Sequence, residues 1–268
     1  AGETISSPKV IVTGTIENFI GELGVTVNGI VADVYGNQFV VSNVPLVEGA
    51  NTITVTAKDA LRTTTSSITV NAVMPVSYIE LSSNIESGIA PLTAYFSASI
   101  SNLTPSSYQM DFEGDGIVDW TGASFEDISH TYTLEGIFYP TVVVTDSQGN
   151  SYWDVIAITV LSRAEMDALL KGKWEGMKSE LAEGDVEGAM GSFDESSKGK
   201  YEKILIALKD RLPSIASNMG EIKMDYVLQD VAEYRISRIE SINGQIREVT
   251  YFIYFVKDKS GLWKIESF

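Results

Sequence analysis

Asp111, Glu113, Asp115 and Asp119 put four carboxylates at odd positions of one nine-residue stretch, with Gly114 and Gly116 among them. Two unit charges about 4 Å apart repel by roughly 1 kcal/mol in water and several times more near a protein surface. A cation would offset that repulsion, and the spacing suits calcium. Asp111, Glu113 and Asp115 take positions 1, 3 and 5 of a calcium loop, and Gly116 takes the sharp turn at 6. The carbonyl of Ile117 falls at position 7 and Asp119 at position 9. Position 12 is Gly122 where a bidentate Glu is expected, and no helical pattern flanks the stretch, so this is not a helix–loop–helix calcium site. Two readings stay open. One is a weak calcium site, with a dissociation constant of about 10⁻⁴ to 10⁻³ M, useful only outside the cytoplasm. The other is a water-exposed acidic turn whose glycines serve positive φ.

Other reactive side chains are sparse. The chain has one histidine, His130, and no cysteine, which excludes disulfides, zinc–thiolate sites and thiol nucleophiles. A Ser-His-Asp triad has one place to form, and a histidine metal cluster has none. The formal charge of −17 argues against nucleic acid or an anionic membrane as a partner bound through a broad surface. No apolar run approaches the ~20 residues of a membrane span. A hydrophobic content of 44% over 268 residues fits folded protein divided into domains. The chain opens at Ala1-Gly-Glu with no basic or apolar leader, so any signal peptide is expected to have been removed.

The elements that must position these residues change character once. After a polar lead-in over 1–8, short β-branched runs recur at Val10–Val12, Val25–Val27, Phe39–Val41, Ile53–Val55 and Ile68–Val70. Asn28-Gly29 and Gly36-Asn37 mark hairpin turns between such runs. This spacing predicts an antiparallel sandwich over 9–73. Val44-Pro-Leu-Val-Glu-Gly-Ala-Asn-Thr-Ile-Thr-Val-Thr-Ala-Lys-Asp59 resembles the bacterial immunoglobulin-like modules of surface proteins. A linker over 74–77 follows, then a second β module over 78–161 that carries the acidic stretch. Gly88-Ile-Ala-Pro91, Met110-Asp-Phe112, His130-Thr-Tyr132, Gly136-Ile-Phe138 and Val142-Val-Val-Thr-Asp146 occur in the order of a polycystic kidney disease (PKD) domain, which this region resembles. That resemblance implies a β-sandwich common in extracellular proteins, with His130 making a local hydrogen bond at a strand entry. Met110-Asp-Phe-Glu-Gly-Asp-Gly116 departs from the family's simplest acidic motif toward a longer version that looks like a metal loop. Both modules end alike, in Val-Thr-Ala-Lys-Asp59 and Val-Val-Thr-Asp146.

From Ser162 the period is helical. Met166, Leu169, Leu170, Trp174, Met177 and Leu181 form one apolar face, ended at Gly184-Asp185. Asp185 caps a short second helix through Phe193. Tyr201, Ile204, Leu205, Leu208 and Leu212 mark a third, stopped near Pro213 or soon after at Gly220. Strands return over 222–228, 231–239, 246–257 and 262–268, with turns at Asn243-Gly244 and Ser260-Gly261. Three helices and a curved antiparallel sheet over 162–268 resemble the nuclear transport factor and ketosteroid isomerase-like (SnoaL-like) α+β cone. That resemblance implies a pocket used by some members for catalysis and by others for binding or dimerisation. Tyr226, Tyr234, Tyr251 and Trp263 are the candidates to line it, beside Tyr254 and the carboxylates Asp225, Asp230, Glu233 and Glu248.

The fold class expected is multidomain, two all-β immunoglobulin-like sandwiches followed by an α+β cone. The function expected is that of an exported, non-enzymatic bacterial or archaeal surface protein for adhesion, scaffolding or ligand binding. It would be extracellular, cell-surface or periplasmic, with calcium in the second module. Its partner would be a surface protein or polysaccharide, with a small ligand in the cone and a homodimer formed through the sheet as further expectations. Two alternatives remain. An accessory protein of a polysaccharide-processing system would bind glycans through Tyr152 and Trp153, and an isomerase-like enzyme would use a carboxylate base among the tyrosines of the cone.

Overall fold

A β-branched side chain at every second position suits a pleat that sends alternate residues to one face. The computed structural model describes residues 4–242 and 244–268. It is mostly β, with 51% of residues in strands. The chain divides into two units, Ala1–Leu161 with Lys259–Gly261, and Ser162–Asp258 with Leu262–Phe268.

The first unit begins with β1 (Thr4–Ile5), β2 (Lys9–Thr15), β3 (Gly24–Val27), β4 (Ile30–Val31), β5 (Asp33–Tyr35), β6 (Gln38–Pro45), β7 (Gly49–Lys58) and β8 (Thr63–Ala72). They form one sheet in the order β1-β8-β7-β3-β4 and another in the order β2-β6-β5. Val25, Val27 and Ile53 of the first sheet meet Phe39, Val41 and Val44 of the second in one core. Asn28 and Gly29, both at positive φ, close the tight β3–β4 hairpin. Ten more strands follow: β9 (Tyr78–Ser83), β10 (Ser87–Ile89), β11 (Leu92–Ser101), β12 (Pro105–Asp111), β13 (Trp120–Gly122), β14 (Ile128–Tyr132), β15 (Gly136–Phe138), β16 (Thr141–Asp146), β17 (Ser151–Val155) and β18 (Ile158–Leu161). Sheets β14-β11-β9 and β13-β12-β16-β17 enclose a second core of Leu81, Phe96, Met110, Val142, Val144 and Ile158. β18 runs parallel to β10 and antiparallel to β15. Polar contacts join the sandwiches, among them the Lys9 ammonium donating to the Leu81 carbonyl at 3.4 Å. Lys9 Nζ lies 3.1 Å from Asp154 Oδ2, the Ala157 N–H donates to Ser42 Oγ at 2.9 Å, and Asn43 Nδ2 donates to Glu86 Oε1 at 3.4 Å.

The second unit opens with α1 (Arg163–Ala182), α2 (Val186–Met190), α3 (Glu195–Ala207), a 3-10 turn at Lys209–Arg211, and α4 (Leu212–Asn218). Met166, Leu170, Trp174, Met177 and Leu181 make the buried stripe of α1. Asp185 caps α2 by accepting the Gly188 N–H at 2.9 Å. Pro213 does not stop a helix, as its sequence context suggested. It sits in the first turn of α4, where its fixed φ is favourable and its missing N–H costs nothing, so the region holds four α-helices instead of three. β19 (Lys223–Leu228), β20 (Val231–Ile242), β21 (Gln245–Lys257) and β22 (Trp263–Ser267) then pair antiparallel in sequence order. The β20–β21 hairpin is longer than the apolar pattern indicated. Its distal residues are exposed on the sheet, so hydrophobicity does not mark the strand ends. Asn243, expected in that turn, lies outside the described residues. Trp174, Phe193, Tyr201 and Phe268 form an aromatic cluster beneath the helices. The Tyr201 hydroxyl donates to the Phe268 carbonyl and accepts its N–H, both at 2.9 Å.

Candidate functional site

β12 ends at Asp111 and β13 begins at Trp120, so the acidic stretch is the connection between adjacent antiparallel strands. Its glycines are obligatory for different reasons. Gly116 needs only its positive φ of 86°, whereas a Cβ at Gly114 would also fall 2.6 Å from the Tyr139 carbonyl oxygen. The turn folds back so that one carboxylate oxygen each from Asp111, Glu113 and Asp119 lies within 4.8 Å of the others. Oxygens bound to one calcium at 2.3–2.6 Å are separated by at most about 5 Å, so these three fit around a single ion.

Backbone donors already serve part of the cluster. Asp111 Oδ1 accepts the Gly114 N–H at 2.6 Å, and Oδ2 accepts the Gly116 N–H at 2.7 Å. Asp119 Oδ2 accepts the Phe112 N–H at 2.8 Å. Asp111 Oδ1 also accepts the Asp115 N–H at 3.3 Å, whereas Asp111 Oδ2 and Asp119 Oδ2 each keep a second lone pair for a ligand. Glu113 is placed differently. Its Oε1 is 2.9 Å from His130 Nε2, and His130 stacks on Phe112 with ring centres 4.8 Å apart. Burial pushes the Glu113 carboxyl above its ordinary range, and the neighbouring Asp119 adds to that push. Burial holds the His130 imidazole below its ordinary value, against the pull of Asp119. The site therefore resists the charged form of both partners.

The remaining expected ligands do not join this triangle. The Asp115 carboxylate turns back to accept the Ile117 N–H at 2.8 Å. Ile117 lies at the tip with its side chain 64% exposed. Underneath, Tyr132 is buried and donates its hydroxyl to the Phe112 carbonyl at 2.8 Å, tying the turn to the core. Spacing alone identified the carboxylates. The Glu113–His130 contact links the acidic turn to β14 of the other sheet, and no local pattern signals it.

The candidates of the C-terminal unit differ in burial. Tyr234 is fully buried and packs edge-on against Phe255. Trp263 is buried as well. Tyr251 is exposed and donates to Glu240 Oε1 at 2.8 Å. Tyr226 is half-buried across from Glu233 on the neighbouring strand. Two of the four are core, and two lie on or near the surface. Asp225 pairs with Arg235 at 3.3 Å and Asp230 with Lys257 at 3.1 Å. Glu233 accepts from Tyr254, and Glu248 is exposed on the hairpin.

A cleft of about 630 Å³ between the two sandwiches, lined in part by the Lys9–Asp154 ion pair, has no counterpart in any local sequence pattern.

No protein-family model matches the chain, and no curated protein matches it. Solved structures do. The fibronectin(III)-like modules of Clostridium thermocellum CbhA match at 16% identity over 61% of this chain and 92% of theirs, with a TM-score of 0.26. The PKD1 domain of the Vibrio cholerae metalloprotease PrtV matches at 27% identity over 34% of this chain and 100% of its own, with a TM-score of 0.25. Dimeric latent PorU from Porphyromonas gingivalis matches at 11% identity over 60% of this chain and 19% of its own, with a TM-score of 0.33. Among the described residues, no helix is long and apolar enough to cross a membrane.

Proposed function

We propose that this chain is a non-enzymatic part of an exported, multimodular surface protein, working in adhesion, scaffolding or ligand binding outside the cell. Two sandwiches, 9–73 and 78–161, serve as spacer or adhesion units. The helix-and-sheet domain over 162–268 is a SnoaL-like cone that serves interaction. Calcium binds the acidic turn of the second sandwich and stiffens it.

The observation that carries this reading is the convergence of the Asp111, Glu113 and Asp119 carboxylates in a turn with no cationic side chain among them. Such convergence raises the energy of the metal-free turn and is relieved by a hard cation with oxygen ligands. Isothermal titration with calcium at millimolar concentration tests it. A heat that disappears in Asp111→Asn and in Asp119→Asn, and a melting temperature raised by calcium without turnover of anything, are expected. No heat above dilution removes the site. The placement of Tyr234 and Trp263 in the core lends no support to an isomerase-like active site.

A further inference from the structure

β8 is held along one side only for most of its length. Every residue from Thr63 to Ala72 pairs with β7, whereas β1 pairs with Asn71 and Ala72 alone. Among the described residues, Thr63 to Val70 therefore present an open backbone edge, and Thr63 through Thr69 are exposed. Natural sheets cover or charge such an edge where pairing is unwanted. This one reads Thr-Thr-Thr-Ser-Ser-Ile-Thr-Val70, with no charge and no proline. Its side chains alternate between two surfaces. Thr65 and Ser67 share the outer surface with their β7 partners, Thr56 Oγ1 lying 3.3 Å from Thr65 Oγ1 and Thr54 Oγ1 2.9 Å from Ser67 Oγ. Thr64, Ser66 and Ile68 share the other surface with Ala57, Val55 and the buried Ile53. Beside Thr64 and Ser66 that surface opens into a recess of about 320 Å³, lined also by Ile16, Phe19 and Leu23. Further along the same surface Ile68 stands out, 53% exposed.

From this open edge, with a knob and a hollow on one surface, we propose that β8 docks on β8 of a second copy of this chain, running antiparallel. A twofold antiparallel pair continues the sheet with like surface beside like, so each residue faces one of its own parity. With Ser66 opposite its own copy, Thr65 faces Ser67 and Thr64 faces Ile68. Each Ile68 then enters the recess beside Thr64 of the other copy, and the exchange is made twice. A cavity of about 150 Å³ holds a benzene ring, so a recess of about 320 Å³ admits this side chain. The spacing of knob and hollow on one strand is what selects a second copy as the occupant. An uncharged strand also meets its own copy with no like charges opposed, and its outer hydroxyls can pair as Thr54 and Ser67 already do. The charge of −17 on each copy opposes association, but salt at 0.15 M screens charges more than about 8 Å apart. The contact should therefore tighten as salt is raised. It lies in the first sandwich and does not depend on the calcium reading.

Sedimentation velocity of the full chain from micromolar to millimolar concentration, with chelator present, tests this. A monomer–dimer equilibrium is expected. Ile68→Lys should raise its dissociation constant at least about tenfold, even though the added lysine lowers the repulsion between copies. The melting temperature of the dilute variant should stay put, since Ile68 is exposed in the single chain. Because the chain has no cysteine, one introduced thiol reports the register. With copper–phenanthroline as oxidant, Ser66→Cys should give a disulfide-linked dimer, its two Cα atoms lying about 5 Å apart across the pair. Thr69→Cys should not, because the two copies of that residue would stand about 20 Å apart along the strands. A chain that stays monomeric at millimolar concentration in high salt overturns the proposal. So does a dimer indifferent to Ile68→Lys, or equal linking at 66 and 69. An oligosaccharide array signal that Ile68→Lys abolishes in a monomeric chain also overturns it, since that assigns the recess to a glycan.

Discussion

The turns after β7 and β16 and the turn after β12 each hold an aspartate at the end of a strand, yet they treat its charge in opposite ways. Asp59 is buried and accepts the N–H groups of Ile20, Leu61 and Arg62 at 2.8–3.0 Å. Asp146 is buried and accepts the N–H groups of Gln148 and Asn150 at 2.8 Å and the Asn150 side-chain amide at 2.9 Å. The Leu61 N–H foremost holds the Asp59 carboxyl below its ordinary value, and the Asn150 amide does the same at Asp146. In the acidic turn, Asp111 is likewise met by backbone donors, but Glu113 beside it is pushed upward by burial and by Asp119. Donors for each oxygen make a buried carboxylate a staple. Three carboxylates sharing fewer donors leave a turn that gains from an added cation.

The comparison breaks first at the staples. Asp146→Ala and Asp59→Ala each strand several buried N–H donors, so each is expected to lower the melting temperature by several degrees, the largest loss of the series, with calcium present or absent. The loss should fade in acid. A folded value below the ordinary 3.8 means that the stabilisation is complete above that pH and disappears as pH falls through the folded value. Thermal melts of wild type and both variants across that range check it. Wild-type stability that holds equally well below the folded values would show that these carboxylates are not staples. Next in size is Tyr132→Phe, which leaves the Phe112 carbonyl without its buried donor and is expected to cost about 1–2 kcal/mol in denaturant unfolding. Because that hydroxyl ties down the acidic turn, calcium heat should weaken in the same variant.

Much of this was legible from side-chain periodicity. The β-branched runs from Val10 to Val70 all fall in strands, and Asn28-Gly29 closes its hairpin, since local sterics set both. The α1 stripe from Met166 to Leu181 is buried because an i, i+3, i+4 pattern has one way to face a core. Of the two stops offered for the helical region, Gly220 fits, just past the end of α4, and Pro213 does not, because the same fixed φ that stops a helix also starts one. The acidic turn was legible as spacing. Its gathering of Asp111, Glu113 and Asp119 without Asp115 was not, since that depends on where each carboxylate finds its nearest N–H. The staples were visible only as two similar sequence endings, Lys-Asp59 and Thr-Asp146. The Lys9–Asp154 pair and its cleft arise from two sandwiches meeting, and no local window holds both residues.

Glu113→Gln sharpens the contrast with a change of sign. A carboxyl whose folded value is raised above 4.5 penalises the native state at neutral pH, and the penalty lifts as pH falls through that folded value. Removing the charge should therefore raise the calcium-free melting temperature slightly, whereas Asp146→Ala lowers it. The same substitution should abolish the increment that calcium gives wild type. Melts with chelator and with millimolar calcium separate the two effects. A calcium increment that survives Glu113→Gln would place the ion elsewhere.

The smallest effect expected lies at Glu86, where a carboxylate is strained without any cluster. It is half-buried between the sandwiches, and burial raises it above its ordinary 4.5, with Asp33 adding repulsion and Ser42 and Lys9 opposing it. Glu86→Gln keeps an acceptor for the Asn43 amide and removes the buried charge. It should raise the melting temperature by a degree or so at neutral pH and leave it unchanged once the pH is below 4.5, where wild-type Glu86 is already protonated in both states. Calcium should make no difference to that gain. A carboxylate raised by desolvation alone is improved by losing its charge, whereas one raised within a converging set gains more from an ion. If calcium rescued wild type relative to Glu86→Gln, the acidic turn would not be the only place where the fold leaves negative charge unbalanced.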